Sequence, residues 1–424
     1  METARKLFVG YDLCDDFSQV SCYSYKSLEP VPISIRSGQE LIPTLLCAQA
    51  ETGQWLFGEE ALACGTKDGS VLIDHLLEKL AGGTQVEVFG HSYSPVELMG
   101  KYFRRTLKLI KEHFPVEPIV QMVVTVCNTQ PALTEGIYAA LELLGLGKDR
   151  VTVMNHAGAY LYYVLSQDRS LWVNDVGLFD FSAEGMLYYQ IRLNRRNRPM
   201  IARIEKTDCS GTLKDMMPEK QDGTGKQQAY VFETLASSLL YKQLVTTLYF
   251  TGTGFQENWA TGAIERLCAG RRAFLGQNLF TKGACYAAKE LAEHTLEEFI
   301  LLHDDMVVSD IGVRVYKDTR FQELVLAEAG TIWYEIDSGI EVIVEGSPEG
   351  EAELEIIRRN IITRDVLREK LHLTGLPRRP DRMTRLEIRL SCKDRSTGTI
   401  AVKDLGFGEF YPETGQVTEF AIEL

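Results

Sequence analysis

The sequence predicts a duplicated α/β body followed by an all-β sandwich. Three observations carry that expectation. Residues 6–25 and 171–193 each read as a β-hairpin, and each is followed by strands and helices in the same order. PIVQMVVTVCN at 118–128 is a continuous apolar run, the pattern of a strand buried on both faces. After about residue 300, alternating segments such as IGVRVY, ELVLAE and RLEIRLSC replace helical periodicity, with turns such as Ser-Thr-Gly between them.

Taken in order, KLFVGYDL (6–13) and SQVSCYSY (18–25) form the first hairpin, joined by an acidic turn. PISI (32–35) and TLLCAQA (44–50) continue as strands. SYSPVELMGKYFRRTLKLIKEHF (92–114) is a helix. Ser94 is its N-cap, Pro95 takes the first position and Glu97 completes a capping box. Leu98, Tyr102, Leu107 and Ile110 make its apolar face. The strand at 118–128 leads to a helix, PALTEGIYAALELLGLG, stopped by Gly145 or Gly147. RVTVMNH (150–156) is a strand and AGAYLYYVL a helix. The second hairpin, LWVNDVGLFDFSAEGMLYYQIRL (171–193), is followed by strand IARIEKT (201–207) and a mostly helical stretch, 223–248. LYFTGTG is a strand with a glycine turn, and YAAK (286–289) belongs to a core helix. The acidic HDDMVVSD (303–310) leads into the sandwich. There TIWYEI reads as a core strand and GFGEFYPETG (406–415) as a packed corner.

Composition narrows the function classes. The 424 residues are 45% hydrophobic and 25% charged, which suits one to three folded domains. A net charge of −14 argues against a nucleic acid partner or an anionic membrane surface. The basic RRPDR at 378–382 is too short to reverse that. No apolar run approaches the roughly 20 residues of a membrane helix, so no membrane partner is expected. METARKLFVGYDL enters an amphipathic strand with no secretory core, and the nine cysteines form no CxxC pair. Reduced thiols and a cytoplasmic location are the expectation.

The duplication sets the strand ends at Asp12 and Asp180 opposite one another, where open α/β sheets hold ligands. A strand running into Gly-x-Asp and a tight turn has the form of a phosphate loop. Asp15 and Asp16 make this loop anionic.

At these residues the chain resembles the DnaK-type heat-shock chaperones of the actin and sugar-kinase superfamily. FVGYDL looks like the family's first phosphate strand, and ELIPTLLCAQAETGQWLFGEEA resembles the segment ending in its Leu-Ile-Gly-x-x-Ala signature. YSPVELMGKYFRRTLKLI is similar to its Pro-Glu-Glu-Ile helix. VVTVCNTQPALTEGIYAALELLGL and VTVMNHAGAYLYYVL look like its Ile-Thr-Val-Pro-Ala-Tyr to Asn-Glu-Pro-Thr-Ala-Ala stretch. LFDFSAEGML occupies the second phosphate position and YFTGTGF the adenosine position. DDMVVSDIGVRV and HLTGLPRRPDRMTRLEIRLSCKDRSTGTIAV resemble the linker and peptide-binding sandwich. The resemblance implies a two-lobed, duplicated actin-like ATPase fold over 1–300, with lobes at about 1–170 and 171–300. A β-sandwich over 301–424 follows, without the helical lid. It also implies a cleft for ATP or ADP with Mg²⁺. That cleft is built by Asp12, Cys14, Asp15 and Asp16, by Asp180, Ser182 and Gly185, and by Gly252 and Gly254. Asp12 and Asp180 hold the metal.

The chain departs from the family's pattern at the chemistry. Cys14 stands for a glycine, and Asp15 and Asp16 stand for hydroxyl residues that touch phosphate. Carboxylates aimed at a triphosphate repel it unless cations intervene. Ser182-Ala183-Glu184-Gly185 replaces Gly-Gly-Gly-Thr, and a later acid of that loop falls on Leu187. Leu76 occupies the position of the essential lysine, with Lys79 as a substitute one turn away, and His156 replaces a magnesium-orienting glutamate. Only residues 181–251 separate Asp180 from Gly252, so the subdomain that clasps adenine is trimmed. Arg271, Arg272 and Lys282 cluster near glycine turns, where they either meet an anion or pair with the chain's surplus acids.

Two functions are expected from this. The first is a chaperone-related scaffold with a non-hydrolysing cleft, no cofactor, and a protein or peptide partner at the sandwich, bound by strand addition. The alternative is a slow Mg²⁺-dependent ATPase acting as a chaperone, with Lys79 or Arg271 replacing the lost lysine. A basic side chain among the cleft acids discriminates them. An actin-type filament protein is a third reading, against which the attached sandwich weighs.

Overall fold

Leu7–Leu13 is a strand with every residue buried, and its apolar run decides its place at the middle of a sheet. The computed structural model describes residues 6–35, 38–67, 69–182, 185–213, 225–256, 258–317, 320–344 and 350–424. The chain divides into two compact units, Met1–Phe299 and Ile300–Leu424.

The first unit is mixed α/β. Across its first sheet the strands run Glu29–Pro32, Phe17–Ser24, Leu7–Leu13, Ile119–Val126 and Val151–Asn155. The Leu7–Leu13 and Phe17–Ser24 pair is the antiparallel hairpin, and Leu7–Leu13 lies parallel to Ile119–Val126. Met200–Asp208, Gly185–Asn194, Asp175–Ser182, Val245–Thr251 and Arg272–Leu275 repeat that order and those directions in a second sheet. The repeat extends to single residues. Asp12 lies opposite Thr125 across the parallel pair, and Asp180 lies opposite Thr251.

Helices fix these sheets. Pro95–His113 starts at Ser94, whose side chain accepts from the Glu97 amide while Glu97 reaches back to the Ser94 amide. Its Tyr102, Phe103 and Ile110 enter the same core as Val9, Tyr11 and Val124. Leu279–Glu293 lies directly on the first strand. A Cβ on Gly10 would sit 2.2 Å from the Thr281 carbonyl oxygen, so only glycine allows that approach.

The second unit is antiparallel throughout its two four-stranded sheets. One runs Arg320–Ala327, Ser309–Lys317, Ala352–Asn360, Val366–Leu373; the other runs Asp337–Val344, Thr384–Cys392, Thr397–Gly406, Val417–Glu423. Ile311, Val313 and Ile356 from the first share one core with Leu386, Ile388 and Ile400 from the second. TIWYEI is not a core strand. Trp333–Glu335 is a 3₁₀ turn, entered from Gly330 at φ 91° and held by the Trp333 amide on the Asp305 carbonyl. GFGEFYPETG is not packed inward either, since Phe410 is 91% exposed. Among the described residues, no helix is long and apolar enough to cross a membrane.

Candidate functional site

The matched strand ends open on one cavity of about 80 Å³, lined by Asp12, Cys14, Asp16, Asp180, Ser182 and Gly252 among others. Those six expected residues are brought together. Asp15, Gly185 and Gly254 are not among its walls. The expectations placed on Ala183 and Glu184 lie outside the described residues.

The tight turn between Leu13 and Phe17 divides its acids. Asp12, Cys14 and Asp16 line the cavity, and Asp15 turns to the Leu77 amide instead. Its carboxylate accepts from the Leu77 amide at 2.8 Å and lies 3.9 Å from the His75 ring. Burial raises the Asp15 carboxyl, against the Leu77 hydrogen bond and His75. Two of the turn's amides are spent internally. The Cys14 amide donates to the Phe17 carbonyl at 3.2 Å, and the Phe17 amide donates to the Asp16 carboxylate at 2.7 Å. A phosphate loop presents such amides outward.

His156 closes the site. It opens the helix His156–Leu165, whose cap is Asn155, accepting from the Gly158 amide at 2.8 Å. Its Nε2 donates to Asp12 at 2.8 Å, and its ring stacks on Phe280 at 3.9 Å and 11°. The Cys14 Sγ lies 3.7 Å from the same Asp12 oxygen and 3.9 Å from His156 Nε2. Asp12, Cys14 and His156 thus form a compact carboxylate–thiol–imidazole group. Tetrahedral bonds of about 2.0–2.3 Å place neighbouring ligands roughly 3.3–3.6 Å apart, close to this spacing. The donor set suits a borderline transition metal, which would displace the imidazole and thiol protons. A second group, Asp15, His75 and Glu78, is more exposed.

Gly252 and Gly254 serve packing. Gly252 has φ 97°, and a Cβ there would lie 2.1 Å from the Phe181 carbonyl oxygen and 2.9 Å from the Asp180 carboxylate. A Cβ on Gly254 would strike the Phe181 ring, which packs on Phe255 and Trp259. Gly185 has Ser210 against it. Phe17, Leu41, Cys127, Thr251, Gln277 and Phe280 also line the cavity and were not foreseen. Thr251 follows from the register with Asp180; Phe280 carries no sequence signal, because only tertiary packing brings it to His156.

Residues 29–304 match the C-terminal model of a family of unknown function, DUF5716. The chain belongs to that family. Residues 306–424 match a domain of unknown function, DUF8552. No curated protein matches the chain. The DUF5716 match takes in His156, Asp180 and Gly252 and begins after the acidic turn.

In this DUF5716 chain the walls do not fit a magnesium nucleotide. Sites for molecules of that size occupy about 300–1,000 Å³, and this cavity has about 80 Å³. No Lys or Arg is among its described lining residues. Lys79 is engaged by Asp74, through the carbonyl at 2.6 Å and the carboxylate at 3.4 Å. Arg271 donates to the Val245 and Leu267 carbonyls, and Arg272 to Ser170. Mg²⁺ takes oxygen ligands and several waters; Asp12, Asp16 and Asp180 offer oxygen, but Cys14 and His156 beside Asp12 offer sulfur and nitrogen.

Proposed function

We propose that this DUF5716 chain is a DnaK-like, chaperone-related scaffold whose cleft neither holds nor hydrolyses ATP, with a protein or peptide partner at its C-terminal unit. The repeated sheets and the matched Asp12–Thr125 and Asp180–Thr251 pairs support an actin-like ATPase ancestry for the first unit. One observation carries the loss of activity. The cleft brings Asp12, Asp16 and Asp180 together with no Lys or Arg among its described walls, and the stacked His156 and Phe280 stand among those walls. The partner reading rests on the sheet edge Arg320–Ala327. Phe321 is 64% exposed and Val325 51%, beside Tyr316, and an edge strand with exposed apolar side chains suits strand addition.

Calorimetric titration with ATP and ADP, with and without Mg²⁺, tests the proposal. No heat and no thermal shift at millimolar nucleotide is expected. Micromolar binding that disappears in Asp180→Ala would overturn it and bring back the Mg²⁺-dependent ATPase reading.

A further inference from the structure

A second cavity of the first unit has lining residues distinct from those of the acidic cleft and the opposite charge. It measures about 890 Å³ and is formed by the helix Pro95–His113, the segment leading from it to Ile119, the turn before Trp55, and residues 144–150. Its floor is apolar: Leu107, Ile110, Phe114, Ile119, Leu144 and Leu146. Its rim carries Lys101, Arg104, Arg105, Lys108, Lys111 and Arg150, against one carboxylate, Glu117, among the described lining residues. The chain as a whole has a net charge of −14, so this is a concentrated reversal of its field.

The rim cations divide into fixed and uncommitted ones. Arg105 donates to the Trp55 carbonyl at 2.8 Å, and the Lys101 ammonium lies 4.6 Å from the Trp55 ring centre. Arg150 donates to the Gly145 carbonyl and lies 3.7 Å from Asp149, and Lys108 lies 3.8 Å from Glu112. Arg104 and Lys111 reach no carboxylate within ion-pair distance among the described residues. Desolvation chiefly, and then the neighbouring Arg104, lower the Lys101 ammonium's pKa, while Glu97 acts to raise it.

We propose that this cavity binds a small anionic amphiphile, an acyl chain bearing a carboxylate or phosphate headgroup. The volume falls in the small-molecule range. The apolar floor takes the chain, and the charged rim takes the headgroup through charge-assisted hydrogen bonds, Arg104 and Lys111 being the side chains with charge to spare. A neutral lipid leaves the rim unpaired, and a bare anion leaves the floor wet. Only a molecule with both parts uses the whole cavity.

Calorimetry with monomeric dodecyl phosphate on the full chain tests this. One molecule is expected to bind per chain. Dodecyl maltoside, with the same tail and no charge, and inorganic phosphate, with the charge and no tail, are each expected to bind at least about tenfold more weakly. Arg104→Glu with Lys111→Glu changes exposed side chains only and is expected to lose about tenfold or more at an unchanged melting temperature. Leu107→Trp, which fills the floor, is expected to weaken the tail's contribution. Equal binding of dodecyl maltoside, undiminished binding of dodecyl phosphate to the double variant, or tight inorganic phosphate would each overturn the proposal. So would capture by anionic vesicles or an acidic peptide with no binding of the monomer.

Discussion

Asp404 offers a test in which charge, packing and a surface loop are tied together. It is buried, and its carboxylate accepts from both Arg379 guanidinium nitrogens at 2.6 and 2.8 Å. It also accepts from the Gly406 amide at 3.1 Å, the Thr414 amide at 3.1 Å and the Thr414 hydroxyl at 2.9 Å. Arg379 in turn donates to the Pro412 carbonyl at 2.8 Å. These bonds fasten the ends of the loop that presents Phe410. In Asp404→Asn the shape stays and the charge goes, leaving Arg379 buried and unpaired. Breaking a buried pair from one side costs about 3–5 kcal/mol, and the retained amide oxygen puts this variant near ~3 kcal/mol. For a unit the size of Ile300–Leu424 that is a drop of roughly 9–15 °C in its melting transition, read by scanning calorimetry. The pH dependence has a fixed sign. Burial works to raise the Asp404 carboxyl, but Arg379, Thr414 and the Gly406 amide outweigh it and hold it far below the ordinary range. A depressed folded-state value means the stabilisation is complete above the unfolded value of about 3.9 and is lost as pH falls toward the folded one. The gap between wild type and Asp404→Asn is therefore expected to be full at pH 6 and to narrow steadily below about pH 4. A variant that melts within 2 °C of wild type, or a gap that does not change between pH 5 and pH 2.5, refutes the reasoning.

Two further predictions concern the cleft. Gly252→Ala forces a Cβ against the Phe181 carbonyl at a positive φ, so a loss of about 3 kcal/mol or more is expected in urea unfolding of the first unit. A loss under 1 kcal/mol would show that the turn relaxes. Co²⁺ added to the chain is expected to give a thiolate-to-cobalt absorption band through Asp12, Cys14 and His156 that Cys14→Ser abolishes. No band, or one that survives in Cys14→Ser, would show that the three atoms do not share a metal.

Local chemistry made much of the fold readable. Ser94-Pro95-Val96-Glu97 announces its helix because every device at that terminus is a short-range one, and the structure forms each of them. The apolar run at 118–128 and the two hairpins are legible for the same reason: burial on both faces and a tight turn each write a pattern into a few residues. Adjacency misled where direction matters. Asp15 follows Cys14 in sequence but, as the chain reverses in the tight turn between Leu13 and Phe17, faces helix Leu76–Gly82 in space. Phe410 sits among glycines and other aromatics, a composition shared by packed corners and exposed loops, and only Asp404 decides between them. The cationic stripe at Lys101, Arg104, Arg105 and Lys108 has helical spacing and is legible in the sequence, whereas the cavity it borders with Leu107 and Ile110 arises only from tertiary packing.

The two cavities impose opposite demands on phosphate, and this bears on how any nucleotide signal is assigned. The cleft holds three carboxylates within about 80 Å³, whereas the outer cavity has a rim of cations around about 890 Å³. ATP is itself an anion with an apolar face, so a heat measured on titration does not by its size identify the site. The variants separate the two. Binding lost in Asp180→Ala and kept in Arg104→Glu with Lys111→Glu belongs to the cleft and defeats the scaffold reading. Binding lost in the charge-reversed pair and kept in Asp180→Ala belongs to the outer face, and dodecyl phosphate must then compete with it. Salt gives an independent check. Attraction by an exposed cationic rim weakens as the Debye length falls from about 10 Å at 0.1 M to about 3 Å at 1 M, while a buried site is screened far less.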